Sequence, residues 1–471
     1  MKAATVFRTK SIETLQAESR VDTGLRRSLG LWQLTGIGIG AIIGVGIFVL
    51  TGVAAATDAG PAVALSFLIA GVASAAAALC YAEFAGMIPV AGSAYTYSYT
   101  VLGEPIAWII GWDLLLEYTL VVSVVAIGLG GYVNALLEGI GVSVPAWMAG
   151  APGTGEGHVV NLVAVLICLL VAWLLARGIR ASARTNAALV VVKLGLIVLI
   201  IAIGAFLVDP ANLSPFMPFG FGGVVSAAGL VFFAVFGYDT LTTAAEEAKD
   251  PQRDLPRAVL LSLLVAMTLY VAVSLVLTGM VPYTTLNNPA PVANAFLDHG
   301  LNAVSTFISL AAIAGITSVL IAFALGAARV WFAISRDGLL PGWFAAIHPK
   351  HRTPHRPTWI IGLVTAAVAG FTPIEDVATL VNIGVLTAFI IVCVSVLVLR
   401  RTRPDAPRSF RTPWMPVVPL VGIGFSIWLI SSLEPATWWR FGIWMGIGLL
   451  IYVAYSRRHS RLAAAAEPPQ P

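Results

Sequence analysis

The chain has 471 residues, 58% hydrophobic and 11% charged, with a mean hydropathy of +0.91, values far outside the range of soluble globular proteins. Its net charge of +4 is no sign of a nucleic-acid partner, because its placement along the chain has a simpler explanation, given below. The composition is that of a polytopic, all-α membrane protein.

Apolar runs of the roughly 20 residues that a helix needs to cross a bilayer start near residues 31, 61, 104, 159, 184, 221, 257, 301, 357, 377, 416 and 437. Twelve transmembrane helices are expected, the third, with Glu104, Asp113 and Glu117, being the least regular. If the N-terminal segment 1–30 is cytoplasmic, all but two of the 27 Lys and Arg residues fall in that segment, in alternate loops or in the tail, on one side. The exceptions are Arg440 and Lys193. This obeys the positive-inside rule with both termini cytoplasmic. The first run is too long for the apolar core of a signal peptide and is expected to remain. Cys80, Cys168 and Cys393 lie singly in apolar segments, which suits packing rather than a disulfide or a metal. The six histidines fall in loops or tails, which argues against an intramembrane metalloenzyme or a histidine relay.

The first span contains "GIGIGAIIGVGIF", residues 36–48. It lacks the strand, the spacing and the Gly-Lys-Ser/Thr of a nucleotide loop. Two readings stand: Gly40 and Gly44 form a GxxxG pair for close helix packing, or Gly44, Val45 and Gly46 break the helix at mid-span, each glycine costing about 1 kcal/mol there. Exposed backbone at that depth is tolerated where it lines a polar cavity, and the positive end of a half-helix would hold a carboxylate. In the fifth span, "LVVVKLGLIVLI" places Lys193 nine residues beyond Arg184, about 13 Å deep at 1.5 Å per residue. A lysine there is costly. It either snorkels or pairs structurally, or it exchanges protons, which desolvation favours for an amine. The sixth span, "GLVFFAVFGYDTLTTAAEE", repeats the pattern of the first, with Gly237 at mid-span and the intramembrane Asp239 beside it. Two broken helices five spans apart fit an inverted repeat with the substrate between them. Glu117 and Asp239 are candidate proton-linked or gating carboxylates, or else hydrogen-bond spans together; Glu83 and Asp113 are placed nearer helix ends or are less clearly buried. "EEAKDPQRDLP" and "RDGLLP" carry mixed charge that capping and pairing explain. "TRPDAPRSFRTPWMPVVP" reads as a stiff linker whose arginines contact anionic headgroups.

The motifs "GIGAIIGVGIF", "YAEFAGMIPVAGSAYTYSY", "GWDLLLEY", "FFAVFGYDTLTTAAEEAKDPQRDLPRA" and "AISRDGLLP" resemble those of the amino acid, polyamine and organocation transporter superfamily, and within it the bacterial cationic-amino-acid-transporter-like permeases. The resemblance runs from about Ser28 to Tyr455. It implies a five-plus-five inverted repeat with helices 1 and 6 broken. It also implies that Gly44, Val45 and Gly46 bind a substrate carboxylate through their amides, that Ile42, Phe233, Ala234 and Phe236 offer carbonyls to its ammonium, and that Phe233 is an aromatic gate. In sodium-coupled relatives a cation sits where the fifth helix faces the first, and in sodium-independent ones a lysine does; Lys193 matches the latter. Phe323 falls where relatives with cationic substrates are similar in carrying a small residue, so the pocket is expected to be short.

The organisation that follows is a cytoplasmic segment 1–30, a first repeat 31–208, a second repeat 221–400, a cytoplasmic linker 401–415, two further helices 416–456 and a cytoplasmic tail 457–471. The expected function is secondary active transport of L-amino acids across the plasma or inner membrane, sodium-independent and either proton-coupled or exchanging, with small to medium neutral substrates favoured. A transporter of arginine and lysine and an amino acid sensor without flux stay open. An enzyme is not expected, since no nucleophile with base and orienting group lies within the spans. No cofactor is implied, the proton gradient being the driving force, and the partners are a small-molecule amino acid and the lipid bilayer, with no nucleic acid and no obligate protein partner indicated.

Overall fold

The computed structural model describes residues 29–88, 93–178, 183–241, 248–351 and 353–460. Among these the chain is helical throughout, apart from turns, loops and one isolated bridge between Leu29 and Ala248. The main helices are α1 (Leu31–Ile42), α2 (Val63–Met87), α3 (Ser93–Val101), α4 (Glu104–Gly139), α5 (Leu162–Ala176), α6 (Ala183–Gly204), α7 (Gly220–Val231), α8 (Pro251–Met280), α9 (Pro291–Asp298), α10 (Asn302–Arg336), α11 (His355–Phe371), α12 (Ile374–Thr402), α13 (Val417–Ser431) and α14 (Pro435–Ile451).

A helix begins close to each of the twelve expected starts. Seven helical stretches among the described residues are long and apolar enough to cross a membrane, or eight if α13 and α14, bent by 113° at their junction, are taken as one; α1 and α5 are shorter apolar helices. Large apolar side chains such as Val191, Phe206, Leu264, Ile443 and Leu450 stand exposed on the outer surface, a surface suited to lipid and a liability in water. The protein is therefore a multi-pass membrane protein. The helix that opens the third span differs from expectation: α4 is one unbroken helix of 36 residues, because Gly103, with φ +92, ends the preceding α3 and lets a fresh helix start at Glu104. The helices α3 and α9 lie in connections where no separate helix was expected.

The packing has a regular order. The second expected span packs on the seventh (α2 on α8), the third on the eighth (α4 on α10) and the fourth on the ninth (α5 on α11). The first and sixth meet at their breaks, which the other inner helices surround.

Candidate functional site

The two breaks are where the glycines place them. In the first span α1 ends as Ile43 turns to an extended conformation, φ −78° and ψ 108°, its amide donating the last helical bond to Ile39 O. The chain resumes as a wide turn over Gly46–Leu50. The amides at the start of such a segment have no partner within it, and they carry the positive end of its dipole. In the sixth span α7 passes into a tight turn over Phe232–Ala234 and then into irregular backbone before Tyr238. Gly237 has φ +109°, a conformation that side chains rarely adopt, and a Cβ there would sit 3.0 Å from Ala41 O. The rest of that sequence motif, residues 242–247, lies outside the described residues.

Close packing accounts for more of the glycines than helix breaking alone. A Cβ on Gly40 would meet Val190 of α6 at 2.8 Å, one on Gly44 would meet Val319 of α10 at 3.2 Å, and one on Gly46 would lie 2.7 Å from Ala234 Cα. Both readings of the glycine run therefore hold, at different positions. The break sits at Ile43 and Gly44, and Gly40, Gly44 and Gly46 let α6, α10 and the tight turn of the sixth span approach it.

Between the breaks lies a small cavity of about 10 Å³, room for about one water. Ile42, Gly44, Val45, Gly46, Phe233, Phe236 and Phe323, all singled out from the sequence, line it. Ala234 does not line it; it packs behind Gly46. Ala41 of α1, Val121 and Val125 of α4 and Val319 of α10 complete the wall. No sequence signal pointed to these valines, because a valine facing a ligand and one facing lipid look alike in an apolar span. The Phe236 ring meets Phe233 edge-on with centroids 5.3 Å apart and Phe323 at 6.3 Å.

The carbonyls freed by the break are met by side chains. Tyr270 of α8 donates its hydroxyl to Ile42 O at 2.9 Å, so the carbonyl that the family resemblance directs at a substrate ammonium has a side-chain donor. Lys193 is fully buried. Its Nζ donates to Ile43 O at 2.7 Å, Gly40 O at 3.0 Å and Ser318 Oγ at 3.2 Å. The amine thus caps the negative end of the first half-helix; it does not snorkel to the surface, and among the described residues no carboxylate is within ion-pair distance of it.

The intramembrane carboxylates do not line the cavity; Asp239 reaches its wall through Tyr118. Tyr118 donates to Asp239 Oδ2 at 2.8 Å, and the Tyr118 ring packs on Phe323 at 5.4 Å. Glu117, buried on the same helix, interacts electrostatically with Asp239 and Asp113. Lys193 and this carboxylate group are separate clusters, joined through the residues that wall the cavity.

Two sequence expectations are corrected. Glu83 does stand near the end of α2, but it and Asp113 are both fully buried. Glu83 accepts two bonds from Arg400, at 2.8 and 2.9 Å, one from Arg408 Nε at 2.9 Å and one from the Thr412 amide at 2.8 Å. The linker residue Arg408 is therefore turned inward, its side chain inaccessible, rather than facing lipid headgroups. A buried carboxylate outcompetes a solvated phosphate here because both its oxygens are presented to fixed donors. Ser409 in the same linker donates to Gln252 O at 2.7 Å, so the linker straps the ends of α2, α8 and α12.

A sequence profile described as amino acid permease matches residues 29–455. The chain is 48% identical over 459 residues to the methylthioribose transporter of Bacillus subtilis (strain 168), across 98% of this chain and 99% of that protein. It is 47% identical over 460 residues to the branched-chain amino acid permease BcaP of the same organism, across 97% and 99%. With the vacuolar cationic amino acid transporter 4 of Arabidopsis thaliana it shares 39% identity over 81% of this chain and 64% of that protein. These matches span the broken helices, the cavity between them and the buried lysine, and the chain belongs to the amino acid permease family of the amino acid, polyamine and organocation superfamily.

Proposed function

We propose that this permease is a secondary active transporter of small to medium neutral L-amino acids, sodium-independent and driven by protons or by exchange. The observation that carries the substrate choice is the wall of the cavity: Val121, Val125, Val319, Phe233, Phe236 and Phe323 are apolar. A guanidinium or ammonium on a long side chain would lie there unpaired at high cost, whereas an aliphatic side chain gains by burial. The amides of Gly44, Val45 and Gly46 take the carboxylate, and Ile42 O, with the backbone of Phe233, Ala234 and Phe236, takes the ammonium. Main-chain groups read what all amino acids share, and the apolar wall selects among them. The 47% identity to a branched-chain amino acid permease supports the same choice.

Proton coupling rests on Lys193 where a sodium-coupled protein would hold a cation, with Asp239 and Glu117 as further proton-linked or gating groups. The packing of each of several spans on the one five later supports a five-plus-five inverted repeat within twelve crossings, the repeats being 31–208 and 221–400, with both termini cytoplasmic and the protein in the cell membrane. A second reading comes from the 48% identity to a methylthioribose transporter: a thioether would suit the apolar wall, but methylthioribose has neither carboxylate nor ammonium for the two breaks.

Proteoliposomes test both. Labelled leucine or alanine should accumulate under an inward proton gradient without sodium, and excess methylthioribose should compete weakly. A strict sodium requirement would end the coupling proposal. Strong competition by methylthioribose with none by neutral amino acids would install the second reading, and binding without flux would mark a sensor.

A further inference from the structure

Asp113 lies outside every role assigned above. It sits on α4 one helical turn before Glu117, fully buried, and among the described residues neither carboxylate oxygen has a hydrogen-bond partner. Its contrast with Glu83 is instructive: that carboxylate, equally buried, collects four donors. A bare carboxylate in such surroundings is far more costly than a neutral acid. Helix α12 brings the backbone of Gly384 against it, so close that a Cβ there would be 2.6 Å from Asp113 Oδ1. That tight contact leaves no room for a countercharge on that side.

Position gives the group a use. Along α4, Glu104 stands at the first turn, Asp113 about 13 Å further at 1.5 Å per residue, Glu117 about 6 Å beyond it, and Val121 of the cavity wall about 6 Å beyond that. Asp113, Glu117 and Val121, four residues apart, follow one slowly winding stripe of the helix. The ionisable groups acting on the stripe are Glu117 itself, Asp239 of the sixth span, Tyr118, and Tyr81 of α2.

We propose that Asp113 is a proton-binding residue of the transport cycle, relaying a proton between the Glu117–Asp239 pair and the cytoplasmic end of α4. In the uptake direction the O–H bond of the Asp113 acid breaks and its proton passes to water on the cytoplasmic side, leaving as hydronium, and the Asp113 carboxylate then takes the proton given up by the carboxyl O–H of Glu117, which is left as the carboxylate. No electron transfer or co-reactant is involved. This rests on the proton-coupled reading above.

The test uses full-length protein in liposomes loaded with a pH-sensitive dye, measuring protons and labelled leucine carried together in the parent, Asp113→Asn and Asp113→Glu. Asp113→Asn should lower the ratio of protons to leucine and flatten the pH profile of uptake, and Asp113→Glu, which keeps an ionisable acid, should restore both. An unchanged ratio and profile in Asp113→Asn overturns the proposal, and so does a loss of flux that Asp113→Glu does not rescue, the signature of a structural role. If Asp113→Asn is not recovered folded, infrared spectra decide: the carbonyl band of a protonated carboxyl group at neutral pH should be displaced in Asp113→Glu, and a band that stays in place, or is absent from the parent, overturns it. A parent that moves leucine without protons ends the coupled reading and this inference with it; a coupled parent with an unaffected Asp113→Asn ends this inference alone.

Discussion

Lys193→Met is the perturbation whose consequence follows most directly from the geometry. Methionine is close to lysine in length and flexibility and fills the same channel, so the change removes donors and charge with little loss of packing. The ammonium now serves Gly40 O, Ile43 O and Ser318 Oγ. Ser318 has its own bond to Gly315 O at 2.7 Å and loses little. The two carbonyls are left without this donor, at about 1–3 kcal/mol each, hence roughly 2–6 kcal/mol against the broken arrangement. A continuous helix would repair part of this, since the Gly44 amide could then reach Gly40 O, and it would withdraw the amides on which carboxylate binding depends. At about 1.4 kcal/mol per tenfold, substrate affinity should fall by ~30-fold to ~10⁴-fold. Binding of leucine to purified protein by titration calorimetry reads this directly, and thermal unfolding in detergent checks that the variant is folded. Alkaline pH, which removes the ammonium's charge, should weaken binding in the parent and leave Lys193→Met insensitive. Parental affinity in Lys193→Met, with an unaltered pH profile, would refute the capping role and the coupling role together.

Three further outcomes are expected. Gly46→Ala forces a methyl group against Ala234 Cα, a backbone atom 2.7 Å away that has no rotamer by which to escape; overpacking of this kind costs about 1–3 kcal/mol, so leucine affinity should drop ~5-fold to ~150-fold, and unchanged binding would remove the close approach of the two breaks from the site. Phe323→Ser opens the wall where Phe323 now packs on Tyr118 and Phe236; competition by arginine and lysine against labelled alanine should appear in the variant only, and strong competition in the parent would falsify the closed pocket. Glu83→Gln leaves Arg400 and the inaccessible Arg408 without their carboxylate, and breaking a buried pair costs about 3–5 kcal/mol; the melting temperature in detergent should fall clearly and partly recover in Glu83→Gln with Arg408→Met, while an unshifted melt would show that the linker strap contributes nothing.

The sequence by itself determined the class of this protein, because hydrophobic run length and the distribution of Lys and Arg are properties of the solvent that a chain must enter, and no tertiary contact is needed to read them. It also located the two breaks, since glycines clustered at mid-span carry a local backbone cost that stands out against any packing. Gly44, Val45 and Gly46 line the cavity for that reason; Ile42, Phe233, Phe236 and Phe323, which line it too, were marked only by the resemblance to the transporter superfamily. Other features were decided by tertiary structure alone. Whether Lys193 reached the surface or capped a half-helix depended on which helix faced it, and Tyr270 became a partner of Ile42 only through the packing of α8. Val121, Val125 and Val319 joined the wall by orientation, which an apolar helix does not encode in its composition. The fates of Glu83 and Asp113 differ most of all. Both are acidic residues in apolar helices, yet one is clasped by Arg400 of α12 and Arg408 of the distant linker and the other faces the bare backbone of Gly384. Burial and partners are long-range quantities, fixed by what the rest of the chain brings to a side chain, and the local sequence is silent on them.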